Sequence, residues 1–166
     1  MDSDSSHTIE VTIEAPAWQS AVTDPLQLCR RAVSAVLSRE VSAAAVEVGV
    51  VLSDDARVRA LNRDFRGQDH ATNVLSFPTG ETAAPMVGQP LVLGDVVVAL
   101  ETMQREATAD GTPLGHHLTH LVVHGTLHLL GYDHESDDEA ERMEAREVEL
   151  LAALGVADPY LAEIAS

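Results

Sequence analysis

Two histidines four residues apart, a glycine three residues on and a third histidine three beyond that constrain this chain more than any other feature. The stretch reads His124-Gly125-Thr126-Leu127-His128-Leu129-Leu130-Gly131-Tyr132-Asp133-His134. On an α-helix four residues are about 40° past a full turn and about 6 Å of rise, so both rings leave the same face. Glycine is the usual residue where a helix stops in the left-handed conformation, so Gly131 predicts a helix end and a turn that swings His134 back. Three neutral imidazoles on one divalent ion leave a fourth tetrahedral position open, as in catalytic zinc sites. His124, His128 and His134 are therefore the candidate ligands for one Zn2+ per chain. A single helical histidine is ordinarily a core or surface residue, but few structural reasons exist for three at this spacing with a glycine at the break.

The spacing matches the H-E-x-x-H-x-x-G-x-x-H pattern of the metzincin proteases, with one difference: Gly125 stands where those enzymes carry a glutamate. That glutamate is their general base. The chain keeps the metal scaffold and lacks the protease's proton-transfer group, so a different hydrolysis is expected.

The 166 residues and a hydrophobic fraction of 45% fit one domain with a sizeable core. Aromatics are only 3%, so that core must be built from Val, Leu and Ala. No apolar run is long enough to span a membrane. Met1 to Ser6 is polar and acidic, without the basic and apolar regions of a secretory signal, and a cytoplasmic protein is expected. Cys29 is the only cysteine, which excludes an internal disulfide and fits a reducing compartment. The formal net charge is −17 and there is no lysine, which taken alone argues against non-specific nucleic-acid binding.

Patterning predicts one domain over 8–166 behind a disordered tail at 1–7. Ile9, Val11 and Ile13 alternate as a half-buried strand. Asp24-Pro25 reads as cap and first residue of a helix whose stripe is Leu26, Cys29, Val33, Val36 and Leu37. Val46, Val48, Val50 and Leu52 form a second strand, after which Ser53 can cap a helix from about Asp54 to Phe65. Its Arg59, Arg63 and Arg66 could share one side; for the first two, ordinary surface ion pairs are the simpler reading. Asn73 to Pro78 reads as a third strand, Thr79 to Pro90 as a flexible loop, and Leu91 to Ala99 as a fourth strand around Gly94. A helix from Leu100 to about Ala109 follows, and Thr112-Pro113 reads as cap and start of the histidine-bearing helix. There His116 and His117 are expected to be exposed, and His120 to be either an outer partner of a ligand or a plain buried histidine. Ser136 and Glu139 form a capping box for a last helix with a buried stripe of Ala140, Met143, Val148, Leu151 and Leu154. Glu141, Glu144, Glu147 and Glu149 are read as its wet face. The expected fold is α/β (α+β): a small mixed four-stranded sheet packed with about five helices.

The motif and its surroundings resemble the YbeY family of bacterial endoribonucleases. Asp64-Phe65-Arg66-Gly67 and Thr72-Asn73-Val74-Leu75-Ser76-Phe77-Pro78 look like the family's central signature, Leu93-Gly94-Asp95 like its next landmark, and Asp158-Pro159-Tyr160 like its C-terminal ending. Ala71 departs from the pattern, standing where proline is common. The resemblance implies a zinc-dependent, single-strand-specific endoribonuclease acting in small-subunit rRNA 3′-end maturation and ribosome quality control. Implied partners are single-stranded rRNA, the small ribosomal subunit and ribosomal or ribosome-associated proteins, with no membrane. It implies Arg66 and His124 as catalytic residues and His124, His128 and His134 as metal ligands. Two other classes remain: an assembly factor with a purely structural zinc, and a metzincin-like peptidase.

Overall fold

The computed structural model describes residues 7–41, 45–80 and 89–160. The elements run β1 (Thr8–Ile13), α1 (Ala17–Ala21), α2 (Pro25–Glu40), β2 (Val46–Ser53), α3 (Asp55–Arg66), β3 (Val74–Pro78), β4 (Leu91–Ala99), α4 (Leu100–Asp110), α5 (Leu114–Leu129) and α6 (Asp137–Ala153). The strands form one mixed sheet in the order β1-β2-β4-β3. β1 and β4 pair parallel to β2, and β3 runs antiparallel to β4. This is the expected α/β layout, with six helices where about five were expected. The additional one is α1, a five-residue helix that buries Trp18 and hydrogen-bonds its indole Nε1 to the Ser53 carbonyl at 2.8 Å. The expected tail and flexible loop fall largely on 1–6 and 81–88, outside the described residues; His7 accepts a hydrogen bond from the Val46 amide at 3.1 Å.

Strand alternation divides the sheet between two apolar layers. Val48, Val50, Leu52, Val96 and Val98 point to the main core, which α2, α5 and α6 cover. Leu75, Val97 and Ala99 point the other way, where Val58 of α3 packs on them. Helix α5 lies on the main-core face over β3 and β4, and carries nine buried residues out of sixteen. Its burial makes it a rigid base for side chains at its exposed seam.

Four local expectations are corrected. Ser53 is buried and donates its hydroxyl to Glu14; Asp54 caps α3 instead, accepting from the Arg57 amide at 2.9 Å. Pro113 is itself the N-cap of α5, without a side-chain cap from Thr112, because the helix starts at Leu114. Leu26 sits at the rim of its helix stripe, 36% exposed. In α6 the buried face runs through Met143, Glu147, Leu150 and Leu151, so Glu147 is not part of the wet face: it is fully buried. The step is four from Met143 to Glu147, then three and four from Glu147 to Leu150 and Leu151, which follows the helical period. The charge at position 147 hid that stripe, and Val148 stood in for it. The Asp24 cap of α2 and the Ser136–Glu139 capping box of α6 are present as read.

Candidate metal centre

His120, His124 and His128 stand one helical turn apart on α5, and the last two line a cleft beside β3. Beyond Leu129 the helix unwinds through Leu130 into Gly131 at φ 101°. The Gly131 amide bonds the His128 carbonyl at 3.0 Å and the Tyr132 amide bonds the Leu127 carbonyl at 3.1 Å. That paired closure is the Schellman turn, and its left-handed residue favours glycine. It reverses the chain so that the Tyr132 carbonyl faces His128 Nδ1 at 2.8 Å and His134 returns to the two rings.

The ring centroids lie 4.6 Å apart for His124 and His128, 5.1 Å for His128 and His134, and 6.1 Å for His124 and His134. Three imidazoles on one tetrahedral ion, with metal–nitrogen bonds of about 2.0–2.1 Å, place their centroids about 5 Å apart. The His124–His128 and His128–His134 pairs stand near that spacing, and the wider His124–His134 pair would close by about 1 Å to share one ion. His134 is the most exposed of the three, at 60% for its side chain.

Hydrogen bonding determines which nitrogens are available. His124 Nδ1 lies 2.5 Å from Glu147 Oε2. Burial opposes ionisation of Glu147, but hydrogen bonds from His120, His124 and Tyr160 outweigh it and bring its pKa down to about 2. An ionised carboxylate only accepts, so His124 Nδ1 must donate. The Tyr132 carbonyl also only accepts, so His128 Nδ1 donates too. In the neutral rings both Nε2 atoms are then bare acceptors, and they face each other at 3.1 Å. Two lone pairs cannot bond one another; a cation between them resolves the contact. Burial, followed by the repulsion of His124, holds the His128 imidazole below its usual pKa, which favours the neutral, ligating form.

Ligand atoms of His120, His124 and Glu147 lie within 4.8 Å of one another, as do those of His128, Asp133 and His134. Either set could hold a metal by distance. In the first, however, the short His124–Glu147 hydrogen bond already occupies the facing atoms. His120 approaches the same Glu147 oxygen at 3.6 Å and so stands behind His124. His116 is exposed as expected, but His117 is mostly buried and bonds Glu106 at 2.9 Å.

Arg66 ends α3 and lines the same cleft as His124, His128 and His134, a space of about 710 Å³ that also includes Asn62, Thr72, Asn73 and Ser76. Its guanidinium is exposed and has no carboxylate partner among the described residues, whereas Arg59 pairs with Asp69 and Arg63 with Asp64. Buried Asn62 donates to the His70 carbonyl at 2.9 Å and pins the loop after Arg66. Asn73 donates to Glu106, which His117 also holds. The polar pairings of Asn62, Asn73 and Glu147 escaped the sequence because their partners lie on other elements.

Gly125 answers the metzincin comparison. A Cβ there would stand 2.6 Å from Val96 Cγ1 and 3.2 Å from Ser76 Oγ, and Ser76 already donates to the Gly125 carbonyl at 2.8 Å. The position is pressed on β4 and β3, so a glutamate there would collide with Val96 before it could extend.

The family model for endoribonuclease YbeY matches residues 12–155. The chain belongs to the YbeY family. An endoribonuclease YbeY of Paramagnetospirillum magneticum is 51% identical over 158 residues, covering 92% of this chain and 96% of that one. One from Azorhizobium caulinodans is 52% identical over 155 residues, covering 92% and 95%. The solution structure of a Thermotoga maritima protein superposes with a TM-score of 0.56 at 25% identity, covering 92% of this chain and 98% of its own. The span matched by the family model, residues 12–155, takes in β2 to β4, α2 to α6 and the histidine motif. No helix among the described residues is long and apolar enough to cross a membrane.

Proposed function

We propose that the chain is a zinc-dependent endoribonuclease that cuts single-stranded RNA during small-subunit rRNA maturation and ribosome quality control in the cytoplasm. The observation that carries the metal assignment is the pair of bare Nε2 atoms at 3.1 Å, with His134 beside them at the mouth of the cleft. His124, His128 and His134 would hold the ion. The RNA assignment rests on the YbeY family and on relatives named as endoribonucleases.

When bound, Zn2+ would supply Lewis acidity and a water that ionises near neutral pH. The chain's own residues do the rest. Glu147 and the Tyr132 carbonyl keep protons on the Nδ1 atoms of His124 and His128, so both rings present their Nε2 atoms. Arg66 offers a planar fork that matches a phosphate and offsets charge gathering on it. A space of about 710 Å³ suits a short piece of unpaired strand and is of the size of small-ligand sites. The net charge of −17 predicts weak grip on bare RNA, so a basic ribosomal partner at the small subunit is part of the proposal.

Metal analysis of purified protein tests the first half: one equivalent of zinc is expected, lost in His124→Ala. Cleavage of an end-labelled RNA carrying an unpaired and a duplex segment tests the second, with cuts confined to the unpaired segment and abolished in His124→Ala. A 2′,3′-cyclic phosphate end would assign the attack to the RNA 2′-hydroxyl, a plain monophosphate end to water. The acidic surface also suits a second reading, an assembly factor whose zinc only staples α5 to α6. In that case Arg66→Ala would leave rRNA processing untouched.

A further inference from the structure

Glu147 occupies a position that ought to be apolar. It lies on the buried face of α6 with Met143, Leu150 and Leu151, and its side chain is 0% exposed. An apolar side chain would fill that space without needing any partner, whereas a buried carboxylate must have its oxygens satisfied. Two side chains hydrogen-bond them, and a third stands close by. His124 Nδ1 at 2.5 Å and His120 Nε2 at 3.6 Å, one turn apart on α5, both address Oε2. The Tyr160 hydroxyl donates to Oε1.

Tyr160 does not belong to a helix or strand. It comes from the segment after α6, where the Val156 amide bonds the Leu151 carbonyl at 2.8 Å and Asp158 accepts from the Tyr160 amide at 2.8 Å. Its ring stands edge-on to His120 at 5.9 Å. The C-terminal segment is therefore joined through one carboxylate to the ring of His124. With Oε1 held by Tyr160 and Oε2 by His124, and His120 at 3.6 Å beside the same oxygen, the carboxylate is held from both ends.

We infer that Glu147, braced by Tyr160 and His120, is a positioning residue that holds His124 in the Nδ1–H form and aims its Nε2 at the metal. This rests on the metal assignment above and deepens it. A carboxylate accepting from the far nitrogen of a ligating histidine fixes the tautomer and raises its basicity, and losing such a partner costs about 10–100-fold in metal affinity. The Asp158-Pro159-Tyr160 segment thereby acquires a role: it completes the surroundings of a ligand that lies in another part of the sequence.

The test uses the full-length protein, stripped of metal and titrated with Zn2+ against a chromophoric chelator. Glu147→Gln keeps the shape and removes the charge; Tyr160→Phe removes one hydroxyl from a partly exposed ring. Affinity should fall about 10–100-fold in the first and several-fold in the second. Tyr160→Phe should add little in the Glu147→Gln background, because the tyrosine acts through the carboxylate. Nitrogen-15 spectra of the metal-free protein should show His124 losing its single Nδ1–H tautomer in Glu147→Gln, a change that a merely structural role would not produce. Wild-type affinity in both variants with an unchanged His124 tautomer would overturn the inference and leave the metal assignment standing. Failure of the wild-type chain itself to take up Zn2+ would remove the assignment, and this inference with it.

Discussion

Replacing Gly125 with alanine sets two effects of known size against each other. In an unobstructed helix interior, alanine is favoured over glycine by about 1 kcal/mol. Here the new methyl would stand 2.6 Å from Val96 Cγ1, against a normal carbon–carbon contact of about 3.5–4.0 Å. Val96 is fully buried and paired across the sheet with Ser76, so neither helix nor strand can retreat cheaply. Overpacking a filled core costs about 1–3 kcal/mol. The net expectation is a loss of about 1 kcal/mol, which for a domain of this size lowers Tm by about 2–4 °C. The double variant makes the argument sharper. Both Val96 methyls contribute to the crowding, the second at 3.2 Å. In a Val96→Ala background, Gly125→Ala should change sign and stabilise by a few tenths to about 1 kcal/mol. Thermal and urea unfolding of the four proteins measures both numbers. If Gly125→Ala stabilises the parent chain by the full helical preference, or if the two substitutions simply add, the helix is not pressed on the sheet. The absence of glutamate at 125 would then need another explanation.

The other predictions are briefer. Arg66→Ala should leave Tm within about 1 °C, since the side chain is exposed and has no partner among the described residues, yet reduce cleavage of unpaired RNA by at least tenfold; equal losses of stability and activity would refute its role in phosphate binding. Burial pushes the Cys29 thiol up to about 12, so it should resist a disulfide reagent at pH 8 until the protein unfolds, and fast labelling of the native chain would contradict its packing. Glu147 ionises near 2 in the folded chain against 4.5 as the ordinary value, so its contribution to stability is complete above about pH 4.5 and disappears as pH falls toward 2. The acid limb of the stability curve should therefore flatten in Glu147→Gln, and an unchanged limb would count against the buried hydrogen bonds.

Much of this protein was written along the chain, because the signals concerned are local. Period-two Ile and Val marked β1 and β2, and Asp24-Pro25 and Ser136–Glu139 marked helix starts, since caps are satisfied within one turn. The spacing of His124, His128, Gly131 and His134 was enough to name three rings that meet, because helix pitch and a glycine turn are properties of a dozen neighbouring residues. Trp18 and its one-turn helix were invisible, as five residues held by a bond to the Ser53 carbonyl carry no periodicity of their own.

What tertiary structure alone decided is which polar groups meet across elements. Glu147 looked like one more acid on a wet helix until α6 docked on α5 and enclosed it against His120, His124 and Tyr160. Gly125 looked like a missing catalytic base until β3 and β4 closed on it. A sequence records the spacing of side chains along one element, but burial and hydrogen bonding are set by distances between elements, and those exist only once the layers have packed.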